Sequence, residues 1–383
     1  MKVSIVVPGR FHAFNLAYEL QKHKVLHCMV TSYPYFEVKK YGIKKEFVKS
    51  IISKEIIQRI YLKLFKTYPP FAFINRWFGY WAAYKLPMDS DIYVLWSGVS
   101  LWSIKRIRKN NPNAKIIIER GSSHIEKQDE LLKMIYGKQI ISKHVLNIEL
   151  KEYALADYIS VPSIFAKNSF LEKGFKEEKI LLNNYGVDLS DFYEINDTKS
   201  KNENDKLIVG YAGTISARKN VNGIIDSVKE LVDEGYKIQL NIVGTIDLST
   251  FDTKLLNHSF INYQNKIPQK ELVIFYNNID VFIQNSIEEG LSMVILQAMA
   301  CGKPIIATEN SGAADFIDDG KEGFIIPILN NSILKEKIKY FYENKDAIVK
   351  FGERAAIKVT NGFTWEEYGK RAIALYNSII KNE

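Results

Sequence analysis

The chain has 383 residues, of which 46% are hydrophobic and 25% charged, a globular balance that excludes wholesale disorder. This length exceeds what one core usually organises, so two domains are expected. The two cysteines exclude a disulfide framework and a cysteine metal cluster, and they favour a reducing cytoplasm. No apolar run reaches the roughly 18 residues that span a bilayer, and the N-terminal run is too short for a signal peptide.

Positive charge is concentrated in the first half of the chain. The net charge is +8, and residues 1–190 contain 30 Lys and Arg against 17 Asp and Glu. Residues 38–85 combine 11 basic and 2 acidic residues with 12 aromatic ones, which suits contact with an anionic membrane surface. No nucleic-acid-binding motif accompanies this charge, so no nucleic-acid partner is expected. A solvated helical face over an aromatic core is the alternative.

Residues 1–190 show a βαβ rhythm that predicts one doubly wound parallel sheet. It is interrupted by the basic and aromatic insertion at about 38–89. The predicted strands are 2–7, 25–31, 91–96, 114–118 and 158–161, and the predicted helices are 13–23, 101–110, 141–156 and 163–173.

A linker is predicted at 191–205, where the stretch NDTKSKNEND contains no apolar side chain. The rhythm then restarts and predicts a second doubly wound domain over 206–362, with strands at 206–211, 237–243, 280–284 and 304–307. A helix within 363–383 is predicted to pack back on the first domain. The predicted fold is therefore α/β, with two Rossmann-like domains facing a cleft. Ligands of such sheets bind at the carboxyl ends of the strands.

The loop after the first strand of the second domain reads GTISARKN. Gly213 and Thr214 begin it, and Arg218 and Lys219 stand where a helix starts. Cations oppose the helix dipole at this end unless an anion is bound, and glycine allows a ligand close to the backbone. The pattern therefore predicts a diphosphate site rather than two solvated cations.

A second loop precedes the helix predicted at 291–300. It contains Glu288, Glu289, Gly290, Leu291, Ser292 and Met293. Gly290 would let a ligand approach the first N–H groups of the helix, and Glu289 has too few basic neighbours to form a simple structural ion pair. On spacing alone, carboxylates before a helix are more often a capping device than a catalytic one.

Two first-domain loops also follow predicted strands. Gly9, Arg10 and His12 belong to PGRFH, and His124 ends ERGSSH. A histidine there can bond a sugar hydroxyl, although a lone histidine is more often structural; His124 ranks above His12 because of the Gly-Ser-Ser that precedes it. The Gly-x-Gly-x-x-Gly and Walker loops are absent, which disfavours a dehydrogenase and a P-loop enzyme.

The segment SIEEGLSMVILQAMACGKPIIAT closely resembles the signature of the retaining GT-B glycosyltransferases of family four, and GTISARKN is similar to their phosphate-binding loop. PGRFHAFNLAYEL, ERGSSHI, EYALADYISVPSIFAKNSFLEKG, NNYGVDLSDFY and FTWEEY follow the family's order. The resemblance covers nearly the whole chain and is weakest across 38–89. It implies the GT-B fold and sugar transfer from a nucleotide diphosphate, UDP or GDP, without a metal cofactor.

The resemblance also implies roles for individual residues. Arg218 and Lys219 would bind the donor diphosphate and stabilise it as it leaves. Glu289 would hold hydroxyls of the donor sugar, and His124 would touch that sugar from the other domain.

Further positions follow the same pattern or depart from it. The backbone of 290–293 would support the diphosphate or the sugar, and Gly9 with Arg10 would lie near acceptor and phosphate. The family's second glutamate, which would grip the ribose, is Gln297 here, and the usual arginine after the loop glycine is Thr214. Gln297 keeps an acceptor but loses a charge-assisted bond, a difference of ~1 kcal/mol.

The expected function is that of a retaining transferase that moves a sugar to a cell-envelope glycan or lipid-linked acceptor, at the inner face of the cytoplasmic membrane. A GT-B-fold epimerase or phosphorylase and a non-catalytic glycan-binding subunit are the alternatives.

Overall fold

The computed structural model describes residues 1–66, 71–195 and 206–381. Residues 196–205, the polar stretch of the predicted linker, lie outside this part of the chain. Within it, every strand belongs to one of two parallel sheets, as the α/β pattern predicts. None of the described helices has the length and apolar character needed to cross a membrane.

The first sheet has seven parallel strands in the order β3-β2-β1-β4-β5-β6-β7. They are β1 (Val3–Val7), β2 (Leu26–Thr31), β3 (Val48–Ser50), β4 (Ile92–Trp96), β5 (Lys115–Glu119), β6 (Tyr158–Val161) and β7 (Ile180–Leu182). All five residues of β1 and of β4 are buried, as expected for central strands covered on both faces. The strand order reverses beside β1, which opens a crevice at the carboxyl ends of β1 and β4.

Eight helices belong to this part of the chain. They are α1 (Ala13–Lys22), α2 (Tyr35–Val38), α3 (Ser53–Phe65), α4 (Phe71–Lys85), α5 (Leu101–Asn110), α6 (Ile125–Tyr136), α7 (Lys143–Leu155) and α8 (Ile164–Leu171). The predicted insertion at 38–89 thus contains β3 and the helices α3 and α4.

The second sheet has six parallel strands in the order β10-β9-β8-β11-β12-β13 and reverses beside β8. Its strands are β8 (Leu207–Ala212), β9 (Ile238–Val243), β10 (Ile261–Gln264), β11 (Val281–Gln284), β12 (Ile305–Thr308) and β13 (Gly323–Ile326). The helices are α9 (Val221–Asp233), α10 (Leu272–Asn277), α11 (Met293–Ala300), α12 (Asn331–Glu343), α13 (Lys345–Thr360) and α14 (Trp365–Lys381).

Four observed strands are missing from the predicted set, namely β3, β7, β10 and β13. Each has only three or four residues and lies at or next to a sheet edge. Such short segments show too few alternations for the hydrophobic pattern to separate a strand from a loop.

Helix α14 runs back to the first domain and packs against α1. Gly369 allows this approach, because a Cβ there would collide with the side chain of Glu19. Arg371 anchors the helix by donating hydrogen bonds to Asn183 Oδ1 at 3.2 Å and to the carbonyl of Asn184 at 2.9 Å.

Asp315 joins the second domain to the start of α8. Its carboxylate accepts the backbone N–H of Ile164 at 3.0 Å and the amide of Asn184 at 2.6 Å. Burial raises the pKa of Asp315 to about 6, although both hydrogen bonds lower it. The carboxylate therefore caps the N-terminus of α8 in the first domain, although burial disfavours its charged form.

The shifted pKa predicts a pH-dependent stability. The folded pKa of Asp315 lies above its ordinary value of 3.8, so this group weakens the fold as the pH rises from about 4 to about 6. After allowance for solvent screening, we expect a loss of roughly 1 kcal/mol. Asp315→Asn keeps an acceptor for both donors and should remove that loss in urea unfolding.

The control is Glu353→Gln, the same charge change at an exposed position of α13. It should retain the parent's pH dependence between pH 4 and 6. A parent-like slope in Asp315→Asn would contradict the assignment.

Candidate active site

A cavity of about 710 Å³ lies between the two domains, at the carboxyl ends of their strands. The first domain contributes the loops after β1, β4 and β5, and the second contributes those after β8 and β11. The second-domain lining includes Gly213, Thr214, Arg218, Lys219, Glu289, Leu291, Ser292 and Met293. Both second-domain loops predicted from the sequence therefore face one cavity.

The two cations of the predicted diphosphate loop occupy a 3₁₀ turn directly before α9. Lys219 is buried, and its ammonium contacts a carboxylate oxygen of Glu289. Arg218 is one-third exposed. Its Nη1 lies 3.7 Å from the same oxygen and donates a hydrogen bond to the carbonyl of Glu288 at 2.6 Å. Two positive charges thus converge on one wall of the cavity.

This arrangement corrects the expectation that Glu289 lacks basic partners. The backbone N–H of Ile287 bonds the carbonyl of Arg218 at 2.9 Å, which joins the two loops. The elements from α9 to β11 lie between Lys219 and Glu289 in the chain. Their contact therefore could not be predicted from the local sequence. Glu289 is an ion-pair partner as well as a cavity residue.

The surroundings of Lys219 suit an anionic ligand. Burial lowers the pKa of this lysine well below its ordinary value, Arg218 lowers it further, and Glu288 opposes the shift. Contact with Glu289 also favours the charged ammonium. A bound diphosphate would add negative charge beside both cations and stabilise their charged forms.

Glu288 connects the two domains instead of lining the 710 Å³ cavity. Its side chain is fully buried. The carboxylate accepts hydrogen bonds from the hydroxyl of Ser122 and, at 3.2 Å, from the amide of Gln128, and it lies 3.5 Å from Arg218 NH1. The predicted donor-binding residue is therefore an interdomain tie.

Gln284, at the end of β11, is a cavity residue that the sequence reasoning missed. Its amide nitrogen donates to Ser286 Oγ at 2.8 Å, whereas its buried carbonyl oxygen has no partner among the described residues. A buried acceptor without a donor is costly, so a ligand hydroxyl or N–H would be stabilising here. A polar residue ending an otherwise apolar strand, VFIQ, is the signal that could have identified it.

The two histidines are placed in the opposite order to the prediction. His124 is buried among Tyr153, Phe170 and Phe175, and its Nδ1 accepts the N–H of Glu126 at the start of α6. Burial lowers the pKa of His124 to about 4, with Lys173 and Arg120 adding to the shift. His124 is thus a neutral helix cap and does not line the 710 Å³ cavity, so the structure does not bring it together with the predicted second-domain site residues.

His12 lines the cavity instead. Its Nε2 lies 3.0 Å from Glu119 Oε1, and its ring packs 4.1 Å from that of Tyr185. Gly9 and Arg10 precede it without lining the cavity, and Arg10 is exposed. In the PGRFH loop the cavity residues are therefore Pro8, Phe11 and His12.

Gln297 points into the core and not into the cavity. Its Oε1 accepts the hydroxyl of Tyr276 at 2.9 Å, and it is not among the lining residues. The structure therefore does not bring Gln297 together with the residues that line the 710 Å³ cavity.

Further first-domain residues that the prediction did not name also line the cavity. These are Lys54, Asn75, Trp96, Ser97, Glu119, Arg120, Gly121, Glu149 and Tyr185. Arg120 is held by Glu149 at 3.1 Å and by Gln128 at 2.7 Å. Arg120 belongs to the same ERGSSH segment as His124, but only the fold shows that Arg120, and not His124, faces the cavity.

Two Rossmann-like domains facing a ligand-sized cleft define the GT-B fold. HepE of Anabaena, solved with UDP and glucose, superposes with a TM-score of 0.70 at 13% identity, covering 99% of this chain and 100% of HepE. This likeness establishes the fold, as the resemblance predicted.

Residues 193–358 match the family described as "Glycosyl transferases group 1". This match covers most of the second domain and agrees with the recognition made from the sequence motifs.

Two curated relatives share part of this chain. The capsular polysaccharide biosynthesis glycosyltransferase CapM of Staphylococcus aureus is 26% identical over 46% of the chain and 48% of its own length. A diacetylbacillosaminyl-diphospho-undecaprenol N-acetylgalactosaminyltransferase of Campylobacter jejuni is 27% identical over 55% and 57%. The matched part thus spans about half the length of each relative.

The Lys219–Glu289 contact predicts a measurable energetic coupling. Lys219→Met should lower the free energy of unfolding by about 2 kcal/mol, because Glu289 would remain largely buried with only the more distant Arg218 beside it. Adding Glu289→Gln should recover part of that loss, giving a coupling of about 1 kcal/mol in a double-mutant cycle by urea unfolding.

The matched control is the exposed pair Lys229–Asp233, which is separated by 2.5 Å and should couple by less than about 0.5 kcal/mol. Equal coupling in the two cycles would show that Glu289 is not a special partner of Lys219.

Proposed function

We propose that this protein is a retaining glycosyltransferase that moves a sugar from a nucleotide diphosphate to a cell-envelope glycan or lipid-linked acceptor. The observation that carries the proposal is the convergence of Arg218 and Lys219 on the cleft, beside Glu289. Fixed cations beside a cleft can stabilise a leaving diphosphate without a metal ion. The polysaccharide and diphospho-undecaprenol relatives support the same class of acceptor.

The proposed reaction is a front-face displacement. The sugar–phosphate bond loosens while Arg218 and Lys219 stabilise the diphosphate as its charge increases. An oxygen of the leaving diphosphate accepts the proton of the acceptor hydroxyl, which attacks the sugar from the same face. No protein nucleophile is required, so Glu289 acts by holding the lysine and the sugar hydroxyls.

The orphaned oxygen of Gln284 and the ring of His12 extend this proposal to the donor sugar. Both residues line the cavity, one from each domain. A sugar between them could donate a hydroxyl hydrogen to Gln284. Glu119 Oε1 lies 3.0 Å from Nε2 of His12 and holds the ring in its orientation toward the cavity.

The donor is proposed to be a UDP- or GDP-sugar, with UDP supported by the nucleotide in the HepE structure. A thermal-shift screen of UDP-, GDP- and ADP-sugars tests this, since a ligand at a hundred times its Kd adds about 2.7 kcal/mol of stability. If no nucleotide sugar stabilises the protein, a non-catalytic glycan-binding subunit replaces the transferase.

Arg218→Ala should lower kcat for transfer by a hundredfold or more, because it removes a preorganised charge that acts on the leaving group. Initial rates of nucleotide release with a donor found in the screen are the measurement. Lys350→Ala removes an exposed cation from α13 and should leave kcat within twofold. A parent-like kcat in Arg218→Ala would overturn the proposed role.

We also propose that helices α3 and α4 contact the membrane from the surface. Their exposed apolar side chains include Ile56, Ile60, Leu64, Phe65, Phe73, Trp77, Tyr80, Trp81 and Tyr84. Basic residues lie among them, so rings and aliphatic chains can enter the headgroup region while cations meet anionic lipid. This surface lies on the domain expected to meet the acceptor.

The triple change Trp77→Ser, Tyr80→Ser and Trp81→Ser should abolish co-sedimentation with phosphatidylglycerol-containing vesicles at low salt, because three interfacial rings are lost. The control removes three exposed apolar side chains of the second domain, Leu248, Ile274 and Ile357, and should bind vesicles like the parent. If neither the parent nor the control co-sediments, the membrane contact is wrong while the transferase proposal stands.

A further inference from the structure

A second cavity, of about 320 Å³, lies in the first domain between α4, α5 and α7. Each of these helices contributes one cation to the lining: Arg76 from α4, Lys105 from α5 and Lys151 from α7. His144 adds a fourth basic side chain. The site is separate from the cations of the donor loop, which belong to the other domain.

These cations have no carboxylate partners. Across residues 1–66, 71–195 and 206–381, neither Arg76, Lys105 nor Lys151 forms an ion pair. All three side chains are exposed, and an anion that enters the cavity would be attracted by all three positive charges.

The carboxylate in the lining does not neutralise these cations. Glu152 is fully buried, and its two oxygens accept the N–H groups of Gly98, Ser100 and Leu101 at 2.6 to 3.0 Å. Burial raises the pKa of Glu152 to about 8, although the three backbone hydrogen bonds lower it. Even when Glu152 is ionised, its single negative charge is outnumbered by Arg76, Lys105 and Lys151, so the lining has a net positive charge.

Asn75 connects this cavity with the interdomain one. It is 6% exposed and lines both cavities. Its side-chain amide forms no hydrogen bond to any residue of the described part of the chain. A ligand that reaches from one cavity to the other would pass this amide and could bond to it.

Trp102 connects the same cavity with the exposed aromatic surface. Its ring lies on the cavity wall and meets the ring of Tyr80 at 5.8 Å, and Tyr80 meets Trp81 at 5.7 Å. Lys105 lies 5.9 Å from the centre of the Trp102 ring. The cavity is therefore bordered by the proposed membrane surface on one side and the proposed reaction site on the other.

We propose that the 320 Å³ cavity binds a phosphate or diphosphate group carried by the acceptor substrate. The inference rests on the proposed transferase function and specifies its acceptor as a phosphorylated molecule. Arg76, Lys105 and Lys151 bind the phosphate oxygens, and the acceptor extends past Asn75 so that its hydroxyl reaches the donor sugar. The volume of this cavity lies at the small end of the range for ligand sites. The cavity therefore suits a phosphate and its first substituent better than a whole nucleotide sugar.

The test is calorimetric titration with inorganic pyrophosphate of a protein carrying Arg218→Ala, which weakens the anion site of the other domain. In this background, Lys105→Gln with Lys151→Gln should weaken pyrophosphate binding tenfold or more. The control pair, Lys109→Gln with Lys143→Gln, lies on the same two helices outside the lining and should change binding less than twofold. Equal affinities in the two pairs would overturn the proposal.

Measurements of nucleotide-sugar binding separate a failure of the anion site from a failure of the transferase proposal. With Arg218 intact, Lys105→Gln with Lys151→Gln should keep the parent's affinity for the nucleotide sugar found in the screen and raise KM for the acceptor. If no nucleotide sugar binds while pyrophosphate still depends on Lys105 and Lys151, the transferase proposal fails and the anion site stands. A second variant, Arg76→Gln alone, tests the third cation. The site would be overturned if this variant and Lys105→Gln with Lys151→Gln both bind pyrophosphate as tightly as the parent.

The source of the phosphate is separated by a second probe, farnesyl diphosphate. Binding at least tenfold tighter than pyrophosphate, with the gain lost in Trp102→Ser, supports the site and assigns it to a lipid-linked acceptor. Equal affinities for the two probes support the site and assign it to a free sugar phosphate. Binding of farnesyl diphosphate that is unaffected by Lys105→Gln with Lys151→Gln would contradict the site for either source.

Discussion

The close approach of two loops, one from each domain, is the constraint on which the cleft depends. Gly290 faces the carbonyl of Gly121 and the Cα of Ser122 so closely that a Cβ would collide with both. The carbonyl of Gly290 accepts the hydroxyl of Ser163 at 2.5 Å, and beside it Glu288 accepts that of Ser122. A side chain at position 290 would push the domains apart and would separate the walls of the donor cavity. The glycine that the sequence marks as a ligand approach is therefore also an interdomain contact.

The same loops link domain contact to charge. Arg218 donates to Glu288 and lies near Glu289, while Lys219 contacts Glu289, so two carboxylates already face the two cations. A diphosphate would have to compete with these carboxylates for the cations or join them through the remaining donors. Because Glu288 also holds Ser122 and Gln128, a ligand that draws Arg218 away from Glu288 would act on the tie between the domains. Glu288 is thus shared between the domain contact and the cations of the proposed donor site.

In the first domain, basic and aromatic residues divide into two surfaces with different chemistry. The exposed rings of α3 and α4 form a broad apolar face, whereas Arg76, Lys105 and Lys151 surround a small cavity behind it. Asn75 and the loop after β4 lie between that cavity and the 710 Å³ cavity. In this loop, Ser97 lines the 710 Å³ cavity and Gly98 lines the 320 Å³ cavity. This order, from the apolar face to the proposed anion cavity to the proposed reaction site, matches the order of parts in an amphiphilic phosphorylated acceptor.

The sequence by itself determined the two parallel sheets and the two cavity-lining loops of the second domain, because buried strands and glycine-bearing strand ends are local patterns. It could not determine the four short strands near the sheet edges, which show too little periodicity. Only the tertiary structure decided that His12 and Arg120, and not His124, face the cleft, since the direction of a side chain after a strand depends on how the following helix packs. It also decided that Gln297 bonds Tyr276 in the core and that Lys219 meets Glu289. These are contacts between residues far apart in the chain, and only the packed fold brings such residues together.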